Sequence, residues 1–295
     1  MISVLICTYN RGNLIGGTLH SLINRQIIIP DEIIVVNGGG KNDCKIILEN
    51  WKNSFKNLKI IETENINLAS SRNIGLKYCL GDIILLTDDD ARPLPDWTLK
   101  IVEAHKKFPN AGAIGGNVIN KNEITFRSRV ADIATFPKNS SFTKVRTVPG
   151  VNCSYKKEVV EMVGEYDINL FRGEDVDYNW RVIKKGWDVY HIPEIIVNHI
   201  GRPTFYGLLY QHYMYGRAHY LVRTKWPDMY SHYPLKIDSI SSVIKYIVSW
   251  TFIPVYDALD KTNKLNDEPN GFEFFVFLLI NIFNRIGSFT QRFFY

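Results

Sequence analysis

The chain has 295 residues, of which 45% are hydrophobic and 22% charged, and a formal net charge of +5. That balance excludes a disordered or fibrous chain and allows one large domain, or one domain with an appendage. Mild basicity suits anionic partners such as nucleotides or phospholipid headgroups, but the lysines are scattered and no nucleic-acid-reading motif is present, so no nucleic-acid partner is expected.

The opening stretch MISVLICTYNRG has too short an apolar run for a signal peptide and no basic leader, and it reads as a strand that begins the fold at once. Strands are predicted at 2–9, 31–39, 58–64, 81–88 and 111–119, as nearly continuous β-branched runs suited to a sheet covered on both faces. Helical spacing of Ile15, Leu19 and Leu22, and the segments 69–80 and 96–108, alternate with them. The pattern predicts an α/β fold with a mostly parallel sheet flanked by helices. Cys7, Cys44, Cys79 and Cys153 form no CxxC pair, which predicts a reduced, cytoplasmic chain without disulfides or structural zinc.

Residues 121–150 are irregular. A helix over 174–187 then carries Val176, Trp180, Ile183 and Trp187 as a packing stripe, with Asp177 and Arg181 four apart. A strand at 188–201 delivers His199 at its exit, and 203–224 reads as a tyrosine-rich helix. In 240–253, Ile240, Val243, Ile244, Ile247 and Val248 form an apolar stripe; a dense apolar block follows from Gly271. Neither block has the roughly 20 uninterrupted apolar residues of a bilayer span. Two readings stand for this region: a helical subdomain or oligomer interface, and an amphipathic surface on the inner face of a cell membrane.

Ligands of such sheets gather at the carboxyl ends of the strands. That rule singles out Thr8-Tyr9-Asn10-Arg11, Asn37-Gly38-Gly39-Gly40 and Asp88-Asp89-Asp90. The glycine run is a plain turn or a ligand loop, but no phosphate-loop pattern follows a strand. Three consecutive carboxylates after an apolar run point to a hard cation, Mn²⁺ or Mg²⁺, held together with substrate phosphates. The bland alternative is a solvated turn capping the next helix.

Taken in order, VLICTYNR, DEIIVVNGGG, NLASSRNIGL, GDIILLTDDDARP, FRGEDVDYNWRVIKKGW and IVNH resemble glycosyltransferase family 2, of the GT-A fold. The resemblance covers about residues 2–200. It implies a GT-A (Rossmann-like) catalytic domain over 1–202, with a nucleotide-sugar-binding half at 1–120 and an acceptor-binding half at 121–202, followed by a helical region at 203–295. The implied activity is inverting, metal-dependent transfer of a sugar from a nucleotide-diphosphate sugar to a hydroxyl of a glycan or lipid-linked acceptor.

Residue by residue, the resemblance implies that Tyr9 stacks on the base and Thr8 contacts it, with Asn10 and Arg11 beside them. Arg72 is implied near the base or diphosphate. Asn37 stands where the family commonly has Asp, so a UDP-sugar is favoured while GDP- and dTDP-sugars stay open. Asp90 is assigned to the metal, Asp88 to the metal or the ribose, and Asp89 to an assisting role. His199 matches a position that can add a metal ligand, and Asn152 and Gly116 match sugar-pocket positions. Asp175 resembles the catalytic base, with Glu174 assisting in acceptor binding or positioning. Two rivals remain: a non-catalytic nucleotide-sugar-binding scaffold and an aspartyl-nucleophile phosphatase, which would carry its aspartates on the first strand.

Overall fold

A computed structural model describes residues 1–40, 42–120, 126–136, 139–200, 204–229, 234–265 and 271–294. In chain order come β1 (Ile2–Thr8), α1 (Gly12–Ile23), β2 (Glu32–Asn37), α2 (Asn42–Ser54), β3 (Leu58–Glu62), α3 (Leu68–Leu76), β4 (Ile83–Asp88), β5 (Ala91–Pro93), α4 (Trp97–Lys107) and β6 (Ala111–Asn120). Next are α5 (Phe126–Thr135), β7 (Thr143–Lys144), a 3₁₀ turn at Gly150–Asn152, β8 (Cys153–Lys156), α6 (Lys157–Val163), α7 (Glu174–Lys184) and β9 (Asp188–His199). Four helices follow: α8 (Phe205–Lys225), α9 (Ile240–Trp250), α10 (Phe252–Leu265) and α11 (Gly271–Gln291), the last running into a 3₁₀ turn at Arg292–Phe294.

The apolar runs of the first half do pair as parallel strands. The sheet order is β3-β2-β1-β4-β8-β6-β9-β5, with β7 on β9. Pairing among β1 to β4 is parallel throughout, and Leu5, Ile34, Val36, Ile84 and Leu86 are buried in its core. Register levels the strand exits: Thr8 lies beside Asn37, Asn37 beside Glu62, and Cys7 beside Asp88. Past β4 the sheet is mixed, because β8 runs antiparallel to both β4 and β6. β5 and β7 are antiparallel to β9, while β6 and β9 are parallel. Strands of two to four residues carry no readable period, so these reversals were invisible in the sequence.

The chain divides into two compact units, residues 1–121 with 138–200, and 122–137 with 201–295. Helix α5 therefore belongs with the C-terminal helices rather than with the 121–202 segment. Its Val130 and Ala131 are buried with Leu208, Leu209, Ala258 and Phe277. Residues 201–203, where the predicted strand ends and the tyrosine-rich helix begins, lie outside the described residues.

Two local expectations change. Helix α3 ends at Leu76 rather than at 80; Tyr78 and Cys79 continue as tighter turns, their amides donating to Gly75 and Leu76 carbonyls. Helix α7 packs through Tyr178 and Val182, with Ile183 and Trp187 at the edge, and Val176 and Trp180 only half-buried. Asp177 and Arg181 do pair at 3.0 Å, and Arg181 also donates to the carbonyls of Val163 and Glu165. The four cysteines form no disulfide.

Within the second unit α8 and α11 approach closely. A Cβ on Gly216 would stand 1.8 Å from Asn284 O, and one on Gly287 1.9 Å from Tyr213 O. The stretch Gly271–Phe294 is one continuous 24-residue helical run, long and apolar enough to cross a membrane by length and composition. The sequence pattern understated it, because Asn281, Asn284 and Arg285 interrupt the apolar block.

Candidate active site

β4 ends at Asp88, and Asp89 and Asp90 form the turn that follows it. Asp88 and Asp90 converge with His199, while Asp89 turns inward to Thr8 and Arg11. Asp89 is 3% exposed; it accepts a hydrogen bond from Thr8 Oγ1 at 2.7 Å and one from Arg11 Nη1 at 2.9 Å. It thereby ties the exit of β1 to the exit of β4. Arg11 Nη1 also donates to Asp90 Oδ2 at 2.9 Å.

Ala91 of β5 pairs with His199 of β9, and the Ile200 amide donates to Asp90 O, so β9 ends against the triplet. His199 Nε2 stands 3.2 Å from Asp90 Oδ1, a buried oxygen that takes no well-aligned hydrogen bond. One ligand atom each from Asp88, Asp90 and His199 falls within 4.8 Å of the others. Two carboxylates and an imidazole are a donor set that Mn²⁺ accepts readily, and the unsatisfied Asp90 oxygen fits a cation.

Electrostatics follow from this crowding. Burial, then the charges of Asp90 and Asp89, push Asp88 up to about 6 against Arg72; the third of its side chain still open to solvent tempers that rise. Burial also opposes charge on Asp90, but His199 and Arg11 outweigh it and hold that carboxylate below its usual range. In return Asp90 and Asp88 overcome burial at His199 and raise it.

Arg72 connects the two acidic clusters. Only 4% exposed, it donates from Nη1 to Glu174 Oε1 at 2.7 Å, and its Nη2 lies 3.8 Å from Asp88 Oδ1. Tyr166 lies beneath the guanidinium, 5.5 Å from ring centroid to Cζ. Glu174 is buried at 6% exposure with its carboxylate on Arg72. Burial pushes Glu174 up to about 7 despite Arg72, with Asp175 adding to the rise. Asp175 is half-buried; its Oδ2 accepts from the Gly150 amide at 3.0 Å and its Oδ1 from the Val176 amide at 2.8 Å.

At the exits of β1 and β2, Tyr9 is 46% exposed. Asn10 adopts a left-handed φ of 56°, and Gly40, at φ 102°, leaves room for its amide: a Cβ there would lie 1.9 Å from Asn10 Oδ1. Within the glycine run it is Gly40 that makes room for Asn10. Asn37 is 3% exposed; its Nδ2 donates to the Glu62 carboxylate at 3.1 and 3.2 Å, which leaves Oδ1 buried with no hydrogen-bond donor.

Sequence reasoning misjudged some positions and missed others. Asn152 is fully buried, and it accepts from Trp97 Nε1 at 2.8 Å and donates to Asn117 O and Ile195 O, both at 3.0 Å. A Cβ on Gly116 would meet Ile195 O at 2.0 Å. Both residues are packing features, not pocket walls. Missed were Thr18 and Arg92: Arg92 donates to Thr18 Oγ1, Ala91 O and Leu14 O, and Thr18 Oγ1 lies 2.6 Å from Asp89 O, so α1 holds the triplet in place. The arginine of DDDARP was the available signal.

The family model described as Glycosyl transferase family 2 matches residues 3–164. Poly-beta-1,6-N-acetyl-D-glucosamine synthase of Staphylococcus epidermidis is 25% identical over 266 residues, 85% of this chain and 63% of that protein. The chain thus spans less than two thirds of that relative. Glycosyltransferase AglE of Haloferax volcanii is 27% identical over 221 residues, covering 74% of this chain and 72% of its own length. Among solved structures, a mannosyltransferase from Pyrobaculum calidifontis, in complex with GDP-Man and Mn²⁺, superposes with a TM-score of 0.68 at 14% identity, covering 99% of this chain and 86% of that one. GalNAc-T7 with UDP, GalNAc and Mn²⁺ has a TM-score of 0.59 at 18% identity, covering 81% and 59%. These two likenesses establish the fold, the mixed sheet of GT-A transferases.

Proposed function

The chain belongs to glycosyl transferase family 2, and on that premise we propose that it transfers a sugar, with inversion, from a nucleotide-diphosphate sugar to a hydroxyl of a glycan or lipid-linked acceptor in polysaccharide or glycolipid synthesis. One observation carries the reading: Asp88, Asp90 and His199 converge at the exit of β4, and Arg72 joins that cluster to the Glu174–Asp175 pair. A divalent cation, Mn²⁺ or Mg²⁺, held by Asp88, Asp90 and His199 would neutralise the departing diphosphate.

The remaining roles fall to the chain's own groups. Asp175 takes the proton of the acceptor hydroxyl as its oxygen attacks the anomeric carbon and the bond to the diphosphate breaks. Its two accepted amide bonds fix both oxygens while leaving lone pairs for that proton. Glu174 positions Arg72, which keeps its charge beside Asp88 and suits the donor's phosphates. Tyr9 offers an exposed ring to the base, and Asn37 Oδ1 is an unsatisfied acceptor suited to the ring N–H that uracil and guanine both carry. A UDP-sugar is the favoured donor. The C-terminal helical unit keeps the enzyme at a membrane surface.

A thermal-shift screen of nucleotide sugars with and without Mn²⁺ tests the proposal. The donor is expected to raise the unfolding midpoint when metal is present. Asp175→Asn is expected to lower transfer by about 10²- to 10⁴-fold while leaving that shift intact. Transfer at wild-type rate in Asp175→Asn removes the base from Asp175. Donor binding with no transfer, by wild type and variant alike, returns the protein to the scaffold reading.

A further inference from the structure

Helix α9 is polar on its buried side. Ser242 and Ser249 are its buried residues, whereas Ile240, Val243, Ile244 and Ile247 are 82, 41, 56 and 52% exposed. A stripe of β-branched side chains held in water marks a surface that meets something apolar. At its C-terminal end the stripe meets a pocket lined by Tyr246, Trp250 and Ser288 together with Arg223, Arg285 and Arg292. The arginines do not wave freely. Arg223 donates to Ser288 Oγ and His219 O, and Arg292 lies 5.8 and 5.7 Å from the rings of Tyr220 and Tyr246.

The pocket's rim is apolar and continues outward. Trp250 meets Phe289 edge-on at 6.1 Å, and Phe289 meets Phe293 at 5.3 Å. Phe293 and Phe294 are 73 and 68% exposed. Three guanidinia inside an apolar collar match a ligand that is anionic at its head and greasy below. Free phosphate would leave the collar unexplained.

We propose that the arginines at the mouth of this narrow pocket pair with the phosphate of an anionic phospholipid, with the α9 stripe and Phe293–Phe294 seated in the bilayer interface. The proposal rests on the membrane-facing reading of the helical unit and is independent of the sugar-transfer chemistry. Guanidinia pair with phosphate through parallel N–H bonds, and Trp and Tyr settle at headgroup depth.

Flotation of the full chain on phosphatidylcholine vesicles, with and without phosphatidylglycerol, tests it. Wild type is expected to float with the mixed vesicles and to bind neutral ones far more weakly. Arg285→Gln with Arg292→Gln is expected to weaken binding to mixed vesicles about 25-fold. Ile240→Ser with Ile244→Ser, both on the exposed face, is expected to abolish flotation with an unchanged circular dichroism spectrum. Donor-dependent thermal shifts, measured alongside, are expected to stay unchanged in both variants, so failure here and failure of the transferase reading are separable. Equal binding to neutral and mixed vesicles, or wild-type flotation by the arginine variant, overturns the proposal. So does stabilisation by inorganic phosphate without flotation, or a dimer that the isoleucine variant dissociates.

Discussion

Asp88, Asp89 and Asp90 are adjacent in sequence but do different work. Asp89 accepts from Thr8 and Arg11 and is nearly sealed from solvent, so its contribution is to stability. Asp90 shares Arg11 but also faces His199 with an unsatisfied oxygen. Removing Asp89 as Asp89→Ala strands a buried hydroxyl and half of a guanidinium, and is expected to lower folding stability by about 2–3 kcal/mol, read as a urea midpoint. Asp90→Ala is expected to weaken the Mn²⁺-dependent stabilisation by donor at least tenfold, read by titrating the metal. Reversal of the two phenotypes would exchange the assignments. Arg72 makes the same lesson from the other side: one guanidinium serves Glu174 at 2.7 Å and Asp88 at 3.8 Å, so neither acidic cluster is independent of the other.

At the scale of elements, side chains from distant strands hold the site by satisfying buried polar groups. Asn152 enters the 3₁₀ turn before β8 and stitches Trp97 of α4 to the carbonyls of Asn117 and Ile195. Gly150, in the same turn, presents its amide to Asp175. In the helical unit the controlling feature is close approach of backbones. Gly216→Ala would drive a methyl into Asn284 O, 1.8 Å away, and part α8 from α11. We expect a loss of about 1–3 kcal/mol from such overpacking, measured as a lowered thermal midpoint. Gly271→Ala, with open space around its Cβ position, serves as the neutral control. Equal midpoints in the two variants would mean that α8 and α11 do not meet as described.

The whole molecule carries buried histidines that set its acid tolerance. His105 in the first unit and His212 in the second are each 5% exposed. Burial first, then nearby Lys156 and Lys261 respectively, push both from 6.5 down to about 3. Folded, both stay neutral; unfolded, both take a proton below about 6.5, so their neutral burial costs nothing above that pH and stability falls as the pH drops from there toward 3. The urea midpoint is expected to decline between about pH 7 and 5, and His212→Leu to decline less steeply. A flat midpoint across that window would contradict neutral burial.

Some of this protein was decided by the order of its amino acids alone. Continuous apolar runs such as SVLIC, EIIVV and DIILL can satisfy neither water nor a half-exposed face, so they had to become the buried parallel strands β1, β2 and β4. Polar groups placed directly after them had to collect at the strand exits, which made Thr8, Asn37 and the aspartates legible as a site. Proximity across the fold decided the rest, because contact between residues a hundred positions apart leaves no local period to read. Tertiary structure turned Asp89 inward, put Glu174 on Arg72, and buried Asn152 on Trp97. It also set which side of α9 faces out: the isoleucine stripe was plain in the sequence, but its exposure depends on neighbours that only packing supplies.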